Sequence, residues 1–188
     1  AKVAQEYGPF DFMLADLGVS SMQIDNPERG FSYKLDGPLD LRLNPQKGVS
    51  AAERLTQVSE DELIGITTKL RETIETALAF LPENKEKKDI VKKSCQRVFQ
   101  ALRIDVNSEF EVLDQFLYSL PDVLAPNGRV AILTFHSGED RMVKKAFKQY
   151  YKEGIFREIA EDVIRPSAEE CRNNGRARST KMRWAVKR

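Results

Sequence analysis

The sequence predicts an α/β protein built on a parallel sheet, and three observations lead there. Two short runs of consecutive apolar residues, one from Phe10 to Leu14 and one from Arg129 to Phe135, read as buried strands. Continuous apolar strands, unlike alternating ones, belong to parallel sheets covered by helices on both faces. About a hundred residues separate the two runs, far more than one crossover needs, and they carry helical periodicity, so helices are inserted between the strands.

The first strand ends in the carboxylate of Asp16 and is followed by Gly18, which opens a loop. Ser59-Glu60-Asp61-Glu62 is a capping box, and Leu63, Ile66, Leu70, Ile74, Ala77 and Leu78 follow at helical spacing up to about Leu81, before Pro82. A second helix runs from Lys85 to about Leu102 and is rich in lysine at its start. Ser108-Glu109-Phe110-Glu111 caps a third, with Phe110, Leu113, Phe116, Leu117 and Leu120 on one face. That helix ends near Leu124 and feeds the second strand, so it is the crossover helix and the first two form the insert. Pro126-Asn127-Gly128 is a turn that precedes the second strand, which runs into His136-Ser137. Ser137-Gly138-Glu139-Asp140 is another capping pattern, and its helix continues through Val143, Ala146, Phe147 and Tyr150. Gly154 to Ile164 and Lys181 to Lys187 read as an antiparallel pair at the end of the sheet, separated by Arg165-Pro166 and a polar run over 172–179. The resulting division places the sheet core in 1–48 and 105–188 and a helical insert in 49–104.

Composition narrows the function classes. A chain of 188 residues, 41% hydrophobic and 31% charged, has enough apolar material for its own core. No apolar run approaches the roughly 20 residues that span a bilayer, so no membrane partner is expected. The opening AKVAQEYGPFDF lacks the basic, apolar and small-residue sections of an export signal. Cys95 and Cys171 form no CxxC and fit inert thiols in a reducing compartment. With one histidine and two scattered cysteines, a zinc site is not expected. The net charge of +1 hides a segregation: residues 141–188 hold 14 Lys/Arg against 6 Asp/Glu, a net of +8, while 1–140 carry −7. A basic tail beside an acidic body suits contact with a polyanion such as nucleic acid.

Ligands of open parallel sheets bind outside the carboxyl ends of the strands, which selects Asp16 and His136-Ser137. Asp16 either contacts a ligand or caps the turn that follows it. The loop from Asn26 to Arg42 combines carboxylates, aromatics and arginines. It can stack a base on Phe31 or Tyr33 and hold an amine at Asp36 or Asp40, or it is a solvated loop around an Asp-Gly-Pro turn. His136 is open to two roles, proton acceptor or structural partner of a carboxylate.

Six strings in order, DLGVSSMQID at 16–25, ERGFSYKLDGPLDLR at 28–42, SAAERL at 50–55, FQALRIDVNSE at 99–109, LAPNGRVAILTFHSGEDRMVK at 124–144, and RPSAEE followed by RARSTKMRWA, resemble the MraW/RsmH family. These are S-adenosylmethionine-dependent methyltransferases acting on a cytosine N4 of small-subunit ribosomal RNA. The resemblance implies a partial class I, Rossmann-like methyltransferase sheet with an inserted helical subdomain. It implies S-adenosylmethionine as cofactor, contacted by Asp16 and Gln23, and a reaction site bordered by Asp36, Asp40 and His136. It makes the basic residues Arg165, Arg176, Arg178, Lys181 and Arg183 contacts for the phosphates of ribosomal RNA or the small ribosomal subunit. The family's glycine-rich cofactor loop precedes the Asp16 strand, and no GxGG-like segment occurs in these residues. Three expectations follow: a portion of a full enzyme, a chain whose sheet a partner completes, or an inactive methyltransferase-like protein that binds ribosomal RNA. Cytoplasm and an organelle matrix both fit.

Overall fold

The computed structural model describes residues 2–56 and 67–188. In chain order it has helix α1 (Lys2–Tyr7), strand β1 (Phe10–Asp16) and helices α2 (Ser21–Asp25), α3 (Ala51–Thr56), α4 (Thr67–Ala77), α5 (Lys85–Val106) and α6 (Glu109–Val123). Strand β2 (Leu124–Thr134), helix α7 (Ser137–Lys152), strand β3 (Phe156–Ile159), helix α8 (Ala168–Asn173) and strand β4 (Lys181–Lys187) follow. Two compact units form, Ala1–Gly18 with Phe110–Arg188, and Val19–Glu109. Among the described residues no helix is long and apolar enough to cross a membrane.

The first unit holds a four-stranded sheet in the order β1-β2-β4-β3. β1 and β2 are parallel, and β4 runs antiparallel to both β2 and β3. This is the expected α/β arrangement, with the antiparallel pair at its end. β2 starts earlier than its apolar run because Pro126-Asn127-Gly128 does not break the strand. It bulges: the register jumps from Phe10 opposite Leu124 to Phe12 opposite Arg129, and Asn127 takes a φ of +63°. A Cβ on Gly128 would sit 2.7 Å from the Ala125 carbonyl oxygen and 2.8 Å from that of Phe10, so this approach of the two strands requires glycine.

Alternation along β1 and β2 sends side chains to two faces. On one face Val130 and Ile132, both 0% exposed, pack with Leu113, Leu117 and Leu120 of α6 and Val143 and Phe147 of α7, and Met13 and Ala15 of β1 adjoin them. Phe147 and Phe156 meet edge to face at 5.6 Å between ring centroids. On the other face Leu14, Ala131 and Trp184 lie side by side across three strands, and Phe12 and Leu14 are each 61% exposed. The expectation of a first strand buried by helices on both faces is therefore corrected. α6 and α7 share one face, and no described element covers the alternate residues of β1.

The second unit has its own core of Leu39, Leu41, Ala51, Leu70 and Phe99, with Phe31 and Tyr33 packed against it. Residues 26–48, expected with the sheet, thus pack with α3, α4 and α5. The Ser59–Glu62 capping box, Leu63 and Ile66 lie outside the described residues. α5 runs past Leu102 to Val106, and Asn107 caps its end. α8, which sequence periodicity did not suggest, is a six-residue helix started by Ser167, whose hydroxyl accepts from the Glu170 N–H at 3.0 Å.

Candidate active site

The carboxyl ends of β1 and β2 form the first cluster. Asp16 closes β1 opposite Leu133, and the Leu17 N–H donates to the Leu133 carbonyl at 3.1 Å, which keeps the strands paired up to the site. The Asp16 side chain is exposed and takes no hydrogen bond or ion pair from any described residue, so the alternative of a turn cap is not what forms. Gly18 has a φ of +101°, and a Cβ there would stand 3.6 Å from the Phe135 ring. The result is an unpaired carboxylate at a strand terminus, two residues before a glycine that faces the Phe135 ring, which suits a ligand offering hydroxyl or ammonium donors.

β2 leads through Phe135 into His136, which is the N-cap of α7 in place of the expected Ser137. The Nδ1 of His136 accepts from the Glu139 N–H at 3.4 Å, and Glu139 Oε2 accepts from the Phe135 N–H at 2.9 Å and the His136 N–H at 3.3 Å. Glu139 is only 3% exposed. Burial pushes its carboxyl upward, but the histidine side chain and the two backbone donors outweigh that and hold it below the ordinary glutamate value. The Nε2 of His136 lies 3.2 Å from Glu139 Oε1 but out of line, and this buried nitrogen has no aligned partner. His136 thus stands beside a carboxylate at a helix start, with its Nε2 left without a hydrogen-bond partner.

Asp140, the next residue, gathers two of the five cations expected on RNA. Arg183 Nε donates to Asp140 Oδ1 at 2.7 Å, and Lys181 Nζ donates to Oδ2 at 3.4 Å. Burial raises the Asp140 carboxyl, and the bond and charge of Arg183, then the charge of Lys181, more than reverse this and leave it lowered. Arg183 is 7% exposed, so both cations brace β4 against α7 in place of facing solvent. Arg165, Arg176 and Arg178 are exposed.

The loop of the second unit is braced as closely. Arg42 grips Asp40 with Nε at 2.8 Å and Nη2 at 2.7 Å, and its own N–H donates to the same carboxylate at 3.0 Å. The Arg42 side-chain bonds hold the Asp40 carboxyl below the ordinary aspartate value. Both Asp40 oxygens are therefore occupied, whereas Asp36 is exposed and accepts at Oδ1 from the Thr68 hydroxyl at 2.9 Å. Asn107 ties the loop to α5: its Nδ2 donates to the Leu41 carbonyl at 2.7 Å and its Oδ1 accepts from the Leu43 N–H at 2.6 Å. Leu41, buried at 1% exposure, holds a φ of +62°, a strained backbone that this bracing sustains. Phe31 and Tyr33 do not project from the loop for stacking. They are half-buried, with Tyr33 edge-on to Phe99 at 5.8 Å, and burial pushes the Tyr33 phenol upward. Gln23 completes a capping box on α2, its Oε1 accepting from the Ser20 N–H at 3.0 Å, which leaves its amide nitrogen for a ligand.

Sequence reasoning missed Glu139 as a buried carboxylate, although His-Ser-Gly-Glu has the four-residue spacing of a capping box. It also missed Asn107 and the Asp140–Arg183 pair, whose partners stand far apart along the chain and give no local signal.

Comparison with known proteins follows the same residues. The model of the MraW methylase family matches residues 1–75 and 64–188. The chain is 61% identical over 215 residues to ribosomal RNA small subunit methyltransferase H 1 of Agathobacter rectalis, covering 99% of the chain and 61% of that protein. It is 59% identical to the protein of the same name from Lachnoclostridium phytofermentans, covering 99% of the chain and 58% of the relative. Against ribosomal RNA small subunit methyltransferase H 2 of Alkaliphilus metalliredigens the identity is 57%, covering 99% and 61%. The chain spans about three fifths of the length of these curated relatives.

Proposed function

We propose, from the premise that this chain belongs to the MraW methylase family, that it forms part of an S-adenosylmethionine-dependent methyltransferase acting on a cytosine N4 of small-subunit ribosomal RNA. The observation that carries this reading is Asp16, an exposed carboxylate without a protein partner at the carboxyl end of a parallel strand. The relatives named for ribosomal RNA methylation support the substrate, and their bacterial origin supports a cytoplasmic setting.

The residues present fit the cofactor at its polar end. Asp16 would hold donor groups of S-adenosylmethionine, with the Phe135 edge beside Gly18 as a further contact; the family resemblance assigns a cofactor contact to Gln23 too, whose amide nitrogen is free. When bound, this cofactor supplies an electrophilic methyl on a sulfonium centre. The cytosine amine is a poor nucleophile because its lone pair is delocalised into the ring, so the protein's contribution is orientation. Asp36 has an oxygen left over from Thr68 to accept an amine hydrogen and turn the nitrogen lone pair outward. Asp40 and Arg42 keep that loop in one conformation. His136, held by Glu139, fixes the turn from β2 into α7, and the proton released after transfer goes to water. The bare flank of β1 fits completion by a second chain or a further segment, as the greater length of the relatives suggests.

Calorimetric titration of S-adenosylmethionine into the protein as expressed from its own gene tests this. Asp16→Ala is expected to weaken binding at least tenfold, about 1.4 kcal/mol, with thermal stability unchanged. Equal affinity in the two proteins would overturn the assignment.

A further inference from the structure

We propose that the outer face of α7 is a contact surface for the phosphodiester backbone of RNA. The proposal rests on the ribosomal RNA reading above and adds a place of contact that the site residues do not provide. Arg141, Lys145, Lys148 and Lys152 recur at intervals of three and four and so share one face of the helix, with Lys144 beside them. At 100° per residue that face is opposite Val143 and Phe147, which are 0% and 1% exposed in the core. All five cations are exposed, and none forms an ion pair with a described residue. At about 1.5 Å per residue the row is about 16 Å long.

A solvated helix face ordinarily interleaves its charges. α4 pairs Arg71 with Glu75 at 2.8 Å, and α5 sets Glu86 and Asp89 among its lysines. α7 has carboxylates too, but both are withdrawn: Glu139 is buried at the start of the helix, and Asp140 is taken by Arg183 and Lys181. What remains outside along the helix is a row of like charges that oppose one another, with a single carboxylate, Glu153, just past its end and bonded to Gln149 at 2.9 Å; folding does not need such a row and a polyanion relieves it. The internal pairing of Lys181 and Arg183 also moves the basic surplus of residues 141–188 outward to this helix. A lipid surface fits less well, because a membrane-lying helix submerges its apolar face, and the apolar face of α7 is spent on the sheet.

The test is fluorescence anisotropy with a labelled small-subunit ribosomal RNA fragment across a potassium chloride series, using the protein and its K145Q/K148Q/K152Q variant. The variant is expected to bind at least tenfold more weakly, with a salt slope shallower by about two to three, while K145R/K148R/K152R retains both affinity and slope. Thermal melts should coincide, and K69Q/K93Q on α4 and α5 should bind as the unchanged protein does. Unchanged affinity and slope in the glutamine variant would overturn the surface and leave the methyl-transfer reading standing. An unchanged protein with no affinity for the fragment would defeat the surface and the ribosomal RNA reading together, which S-adenosylmethionine titration then separates from cofactor binding. Binding of phosphatidylserine vesicles through this row, with RNA binding indifferent to it, would assign the face to lipid and overturn the proposal.

Discussion

The two faces of the β1–β2 pair are made from the same apolar runs and end in opposite conditions. Val130 and Ile132 are sealed under α6 and α7, while Phe12 and Leu14 stand 61% exposed on the reverse side. Sequence hydrophobicity records that a residue is fit for burial, and the chain that surrounds it decides whether burial occurs. The sharpest way to break the contrast is on the sealed side. Phe147→Ala removes a ring that packs edge-on to Phe156 at 5.6 Å and fills the space under the sheet. It is expected to cost about 3–5 kcal/mol in denaturant unfolding, the range for a large buried aromatic. A cost under about 1 kcal/mol would mean that the two faces are equally loose.

A smaller effect belongs to the polar border of the sealed face. Asp140→Asn leaves Arg183, 7% exposed, without its counter-charge, and is expected to destabilise by about 3 kcal/mol. The Asp140 and Glu139 carboxyls are both lowered in the folded protein, so each contributes stability that is present above the ordinary carboxylate range. That contribution is lost as pH falls through the folded values, below about pH 4. Melts from pH 7 to 3 should therefore fall more steeply for the unchanged protein than for Asp140→Asn. Parallel curves would show that Arg183 holds no preferential bond to the ionised form.

These pairs also mark where sequence reading stops. The strand at Phe10–Asp16, the helix that enters β2 and the antiparallel β3–β4 pair were legible because apolar periodicity is a local property of the chain. Asp16 was legible as a candidate for a related reason: a carboxylate followed by glycine after an apolar run is a strand end. The partners of Asp140 and Leu41 were not, since Arg183 and Asn107 are chosen by tertiary geometry. Tyr33 misled in the same way. An aromatic in a polar loop reads as a surface stacker, and here Phe99 turns it into the edge of a core. The family resemblance supplied the proposed activity, but it could not say which of the loop carboxylates was already occupied by an arginine.

The smallest expected effect is on the bare side, where it is also the most telling. Phe12→Ser with Leu14→Ser exchanges two large apolar side chains that have little cover to lose, so stability should move by less than about 0.5 kcal/mol. Their exposure has a different consequence. β1 is the edge of the sheet, with β2 its one strand partner among the described residues, and an apolar edge strand invites pairing with another chain. Light scattering should accordingly register less self-association in the double variant than in the unchanged protein at equal concentration. If the variant instead loses about 2 kcal/mol or more, Phe12 and Leu14 are covered in solution, and the difference between the faces disappears.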